Sequence, residues 1–237
     1  LPYWDLNFVL MALTRPPYEP LGKASIMDLS LKTFFLLLLA SGRRRSEILA
    51  IDIRRTEFAE KGNIMFLYPN RAFVPKTQAA KEEGGAAFSP IKLISLSANL
   101  DKSDPDSFFC PVRAYKIYIK RTSTFRNNRH QLFIPTQAGR VSDLRINTLT
   151  SWTKTLVTKI YKEADPEIRQ VYKIGPHQVR AIATSLAEAG GASLHHIMRA
   201  GTWANHSTFT HHYLKDVTIL RDQLKALSPM VVAQFQL

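Results

Sequence analysis

The chain has 237 residues, 45% of them hydrophobic, and a formal net charge of +13 from 32 basic and 19 acidic side chains. That length and apolar share suffice to bury a substantial core, which argues against intrinsic disorder. Lysine and arginine run along the whole chain instead of gathering in a tail, so the folded body itself is basic and suits a polyanion, nucleic acid ahead of an anionic membrane surface.

Residues 4 to 13 and 26 to 40 are rich in Leu, Phe, Met and Ala and flank the breaker-rich Arg15-Pro16-Pro17-Tyr18-Glu19-Pro20, a pattern that predicts helix, loop, helix. Ser25 or Ser30 is placed to cap the second helix and Gly42 to stop it. Its run from Phe34 to Ala40 is far short of the roughly 20 apolar residues of a membrane span and reads as buried. A shorter helix follows from Ser46. Ile64 to Tyr68 and Phe88 to Ile94 read as strands of a small antiparallel sheet, joined by an exposed, mobile connector, Lys76 to Gly85. Pro111 opens an amphipathic helix over Val112 to Lys120, and residues 121 to 145 are polar and irregular apart from Leu132-Phe133-Ile134.

Helical spacing returns from Asn147 to Ala164, and Pro176 opens a helix that runs to about Ala189 before Gly190-Gly191. Three short helices are expected near 193 to 200, 206 to 214 and 217 to 227, followed by an apolar tail from Pro229 to Leu237. The whole reads as one α+β domain over residues 1–237, mainly helical, with a small antiparallel sheet. The start, Leu1-Pro2-Tyr3-Trp4, has no signal-peptide pattern, and its leading leucine marks the chain as part of a longer protein. The lone Cys110 allows no internal disulfide and fits a reducing compartment.

Three short segments carry the chemistry. The first, Ser41-Gly42-Arg43-Arg44-Arg45-Ser46-Glu47-Ile48, is a basic cluster at a helix stop, which taken alone suits a solvated turn or a general DNA contact. In the second, Gly175-Pro176-His177-Gln178-Val179-Arg180, a proline start sets His177 and Arg180 one turn apart on one face, able to grip a phosphate. The third runs from Gly201 to Leu214 and places Trp203 ahead of Tyr213, residues otherwise read as core and as a half-buried helix position. His206, His211 and His212 lack a cysteine or acidic partner at ligand spacing, so neither a metal nor another cofactor is expected.

Taken in order, the three segments resemble the boxes of the tyrosine recombinase, or phage integrase, family. Ser41, Gly42, Arg44, Glu47 and Ile48 match its first box, His177 and Arg180 its second, and Gly201, Trp203 and Tyr213 approximate its third. Within Arg43-Arg44-Arg45, Gly42 and Glu47 fix Arg44 as the register. The resemblance implies a nucleophilic Tyr213, phosphate-binding Arg44 and Arg180, an assisting His177, a lysine in the sheet connector that protonates the leaving oxygen, and Trp203 packing at the phosphate. Lys76 is the preferred lysine, with Lys81 the other candidate. Glu47 would buttress an arginine.

Trp203 stands one residue further from Tyr213 than the family's usual spacing, and Thr202 separates it from Gly201. That spacing looks like the recombinases of eukaryotic mobile elements, DIRS-like retrotransposons and Cryptons, and leaves His206 as an alternative to Trp203. The resemblance therefore implies strand cleavage and rejoining through a 3′-phosphotyrosine for integration or excision of an element, in the nucleus. It further implies double-stranded DNA as partner, a homotetramer on two DNA sites with the carboxy-terminal segment docked in trans, and a separate amino-terminal clamping domain absent from this chain. A type IB topoisomerase-like enzyme and a domesticated, non-cutting DNA-binding protein are the competing readings.

Overall fold

The structure, a computed structural model, describes residues 4–75, 90–96, 105–136, 142–166 and 174–202. The connector from Lys76 to Gly85, the helices expected near 206 to 214 and 217 to 227, and the apolar tail lie outside them.

Helix α1 spans Leu6–Ala12 and is capped by Asp5, whose carboxylate accepts the Phe8 amide at 3.0 Å. Helix α2 spans Ile26–Ser41. Of its two candidate caps Ser25 is the one used, its Oγ accepting the Asp28 amide at 3.0 Å. At the other end Gly42 takes φ +59° and returns its amide to the Leu38 carbonyl, a left-handed stop that a residue without Cβ adopts freely. Every residue of α2 from Asp28 to Ser41 is buried, so the helix is a central rod covered on all sides. Helices α4 (Pro111–Thr122), α5 (Ile146–Ala164) and α6 (Pro176–Ala189) pack around it.

A charged side chain, Lys32, lies fully buried in the middle of that rod. Lys32 donates to Glu19 at 2.6 Å and to the Leu13 carbonyl at 2.8 Å, while Arg113 of α4 grips both Glu19 oxygens at 2.7 and 3.0 Å. Burial raises the Glu19 pKa, but the Arg113 and Lys32 contacts outweigh it and hold the carboxyl below its ordinary range. Burial pulls the Lys32 ammonium down to about 8 in spite of Glu19.

The sheet is antiparallel in the order β1-β2-β3, with β1 Glu57–Ala59, β2 Ile64–Leu67 and β3 Ile91–Ile94. Met65 and Leu67 of β2 and Ile91 and Leu93 of β3 alternate into the core. Strand β1 is an addition to the expected pair. It is an edge strand whose Glu57 and Phe58 are exposed, so it carries none of the alternation by which a half-buried strand is recognised.

Leu132-Phe133-Ile134, apolar in an otherwise irregular stretch, is fully buried. The Phe133 ring meets Phe34 of α2, Tyr118 of α4 and Trp152 of α5 at centroid distances of 5.6, 5.3 and 5.5 Å, tying three helices together. The fold class is as expected: α+β, mainly helical, with a small antiparallel sheet. Among the described residues no helix is long and apolar enough to cross a membrane.

Candidate active site

The first segment, Arg180 of the second and the opening Gly201-Thr202 of the third meet at one place. Gly42 ends α2 with a left-handed turn, and Arg43 and Arg44 follow before the short helix α3, Arg45–Leu49. Glu47, in the first turn of α3 and 0% exposed, folds back on this approach. Its Oε2 accepts the Arg44 amide at 3.2 Å, and its Oε1 accepts Arg44 Nη1 at 3.2 Å. The buttress expected of Glu47 is thus present as a hydrogen-bonded ion pair one turn long.

The turn sends the three consecutive arginines in different directions. Arg43 is 3% exposed, lies 3.8 Å from Glu47 and donates to the Pro90 carbonyl next to β3, and burial lowers the pKa of its guanidinium. Arg45 donates to Thr150 of α5 at 2.6 Å. Arg44 keeps a side chain 20% exposed. The cluster is therefore anchored within the protein, which corrects the view of it as a solvated turn.

Pro176 starts α6, as the sequence indicates, and sets His177 and Arg180 a turn apart. They sit at different depths: His177 is exposed, whereas Arg180 is 1% exposed and donates from Nη2 to the Gly201 carbonyl at 2.7 Å. Helix α7, Leu194–Gly201, ends at that glycine, and the next residue, Thr202, has φ +56° and ψ +45°.

Arg44 reaches the same point from the other side. Its Nη1 donates to Thr202 Oγ1 at 2.9 Å and to the Thr202 carbonyl at 3.3 Å, and Thr202 Oγ1 stands 3.0 Å from Glu47 Oε1. Two guanidiniums from α2's end and α6 thus converge on the Gly201-Thr202 dipeptide, immediately before the segment that carries Trp203 and Tyr213. A pair of fixed guanidiniums offers forked donors matched to phosphate oxygens, and no reorganisation is needed when negative charge arrives.

Lys76, Lys81, Trp203, His206 and Tyr213 lie outside the described residues, as do the histidines weighed for a metal. Among the described residues no group of three or more His, Cys, Asp or Glu side chains is placed to hold an ion. Two contributors are additions to the sequence-based set: Arg43, whose neighbours are arginines of equal local standing, and Thr202, visible in the sequence only as a spacer between Gly201 and Trp203.

No family model matches the chain, and no curated protein matches it. Among solved structures, the crystal structure of XerA recombinase matches with a TM-score of 0.57 at 14% identity, over 95% of this chain and 65% of that one. The fold is that of a tyrosine recombinase. At this identity the likeness concerns the path of the backbone, and the chain spans 65% of the recombinase it resembles. The chemistry of the site rests on its own side chains.

Proposed function

We propose that the chain is the catalytic part of a DNA strand-exchange enzyme that cuts and rejoins a phosphodiester through a covalent phosphotyrosine. The observation that carries this reading is the convergence of Arg44, Glu47 and Arg180 on Gly201-Thr202, next in sequence to the segment holding Tyr213. A basic surface suited to a polyanion supports it, as does the recombinase fold.

In this mechanism the Tyr213 oxygen attacks phosphorus, the bond to the 5′ oxygen breaks, and the phosphate stays linked to the enzyme at the 3′ end. The bond energy is kept, so a hydroxyl of another strand reverses the step without a nucleotide cofactor. A phenol with an ordinary pKa near 10 is a poor nucleophile at neutral pH, and neighbouring positive charge favours its phenolate. Arg44 and Arg180 hold the non-bridging oxygens and neutralise the charge that builds in the transition state. Lys76 gives a proton to the leaving 5′ oxygen, exposed His177 moves a proton at the tyrosine, and Trp203 closes the phosphate site through its single N–H. The same reading extends to integration or excision of a mobile element in the nucleus, by a tetramer that exchanges its carboxy-terminal segments.

The test is covalent capture. The chain is incubated with a pool of nicked duplexes whose cleaved end diffuses away, and a denaturing gel reveals a protein–DNA adduct that Tyr213→Phe abolishes. An adduct that survives Tyr213→Phe refutes the nucleophile. Retained DNA binding with no adduct across the pool favours a non-cutting DNA-binding protein.

A further inference from the structure

We propose that Thr202 is a positioning residue whose hydroxyl locks one edge of Arg44 against Glu47, so that the other edge is presented to the scissile phosphate. The inference deepens the phosphodiester-cleaving reading above and rests on it.

Thr202 occupies the left-handed region, φ +56° and ψ +45°, just past the end of α7. Glycine is the usual occupant of such a position, and a β-branched residue there is strained. Strain of this kind persists where the surroundings hold the side chain in place, and here they do. The hydroxyl has one proton and two lone pairs. It accepts from Arg44 Nη1 at 2.9 Å.

Two acceptors stand within reach of its proton, Glu47 Oε1 at 3.0 Å and the Gly201 carbonyl at 2.7 Å. The Gly201 carbonyl already accepts Arg180 Nη2, and a carboxylate is the stronger acceptor, so the proton goes to Glu47. Arg44 Nη1, Thr202 Oγ1 and Glu47 Oε1 then form a closed ring, since Arg44 Nη1 also meets Glu47 Oε1 at 3.2 Å.

All of Arg44's side-chain hydrogen bonds within the described residues pass through Nη1. A guanidinium is planar, so fixing that corner fixes the direction of Nε and Nη2, which make no hydrogen bond among the described residues and belong to a partly exposed side chain. The same dipeptide therefore steers both arginines: the Gly201 carbonyl orients Arg180 and the Thr202 hydroxyl orients Arg44.

Three substitutions separate the hydroxyl from the backbone strain. Thr202→Val keeps the branch and loses the hydroxyl, Thr202→Ser keeps the hydroxyl, and Thr202→Gly loses it while relieving the left-handed conformation. On nicked duplexes, Thr202→Val should lower the single-turnover cleavage rate about 10- to 100-fold, the range known for groups that orient a metal ligand, with a much smaller change in DNA affinity, which is spread over many phosphate contacts. Thr202→Ser should restore the rate. The deficit should shrink on a duplex with a neutral methylphosphonate at the scissile position, where there is less charge for Arg44 to meet.

Cleavage by Thr202→Val at the unsubstituted rate overturns the proposal, as does a Thr202→Ser variant as slow as Thr202→Val. Should thermal melting show that Thr202→Val does not fold, Thr202→Gly against Thr202→Ser makes the same comparison. Failure of the unsubstituted chain to form an adduct would count against the function proposed above. The role of Thr202 is then read from the thermal shift induced by inorganic phosphate: a smaller shift in Thr202→Val, regained in Thr202→Ser, supports the lock, and equal shifts refute it.

Discussion

Replacing Glu47 by glutamine tests the centre of the site with the smallest change of shape. The carboxylate is 0% exposed and faces donors on both of its oxygens: the Arg44 amide at 3.2 Å and Arg43 Nη1 at 3.8 Å on one, Arg44 Nη1 and the Thr202 hydroxyl on the other. Glutamine replaces one oxygen with an NH2 group, which turns a donor toward donors whichever way the amide is flipped. It also removes the negative charge beside Arg43, a guanidinium only 3% exposed. Breaking one side of a buried pair costs about 3–5 kcal/mol.

For a chain of this size each kcal/mol corresponds to about 2–4 °C in melting temperature, so Glu47→Gln should melt roughly 6 to 20 °C below the unsubstituted chain. Thermal unfolding followed by far-ultraviolet circular dichroism measures it. A melting temperature within about 2 °C of the parent would refute the reasoning. The double change Arg43→Met with Glu47→Gln should cost less than the sum of the single ones, by about 0.5–3 kcal/mol, because it also removes the stranded charge.

Lys32 gives the stability a distinctive pH dependence. Its folded pKa of about 8 lies below the unfolded 10.5, so above pH 8 the unfolded chain binds more protons than the folded one and stability rises with pH. The slope should be visible by urea unfolding between pH 8 and 9.5, before the buried tyrosines, whose pKa values are raised, begin to oppose it, and Lys32→Met should flatten it. Glu19 acts at the other end: its lowered pKa means stability present above the unfolded value of 4.5 and lost as pH falls through the folded one. Phe133→Ala, which empties the junction of α2, α4 and α5, should cost about 3–5 kcal/mol in chemical denaturation, and a loss under about 1 kcal/mol would contradict that packing. Lys76→Ala and Lys81→Ala should differ on a substrate whose leaving group is a thiolate: the variant lacking the true proton donor regains its cleavage rate there, and the other is indifferent to the leaving atom.

The helices were legible where local chemistry punctuates them. Ser25, Gly42, Pro111, Pro176 and Gly190 act on their own neighbours, and each marks an end that the structure also has. What stayed hidden depends on partners far along the chain. Lys32 sits in a run that reads as apolar and is accommodated only because Glu19 and Arg113 reach it from the preceding loop and from α4. Three adjacent arginines look alike in sequence, and only the left-handed turn at Gly42 decides that Arg43 is buried while Arg44 keeps an open edge. Thr202 is silent as a letter because the carboxylate its hydroxyl hydrogen-bonds is 155 residues away.

The distance along the chain between the arginines has a consequence for when the site is assembled. Arg44 leaves the end of α2, Arg180 belongs to α6, and they share Gly201-Thr202 only when α6 and α7 have packed against the rest of the fold. A chain emerging from the ribosome with α2 complete, or one that has lost its last helices, holds Arg44 without the Gly201-Thr202 dipeptide that Arg180 shares with it. On the strand-exchange reading proposed above, cleavage would be withheld until α6 and α7 have docked, with the fold's own long-range closure serving as the safety catch.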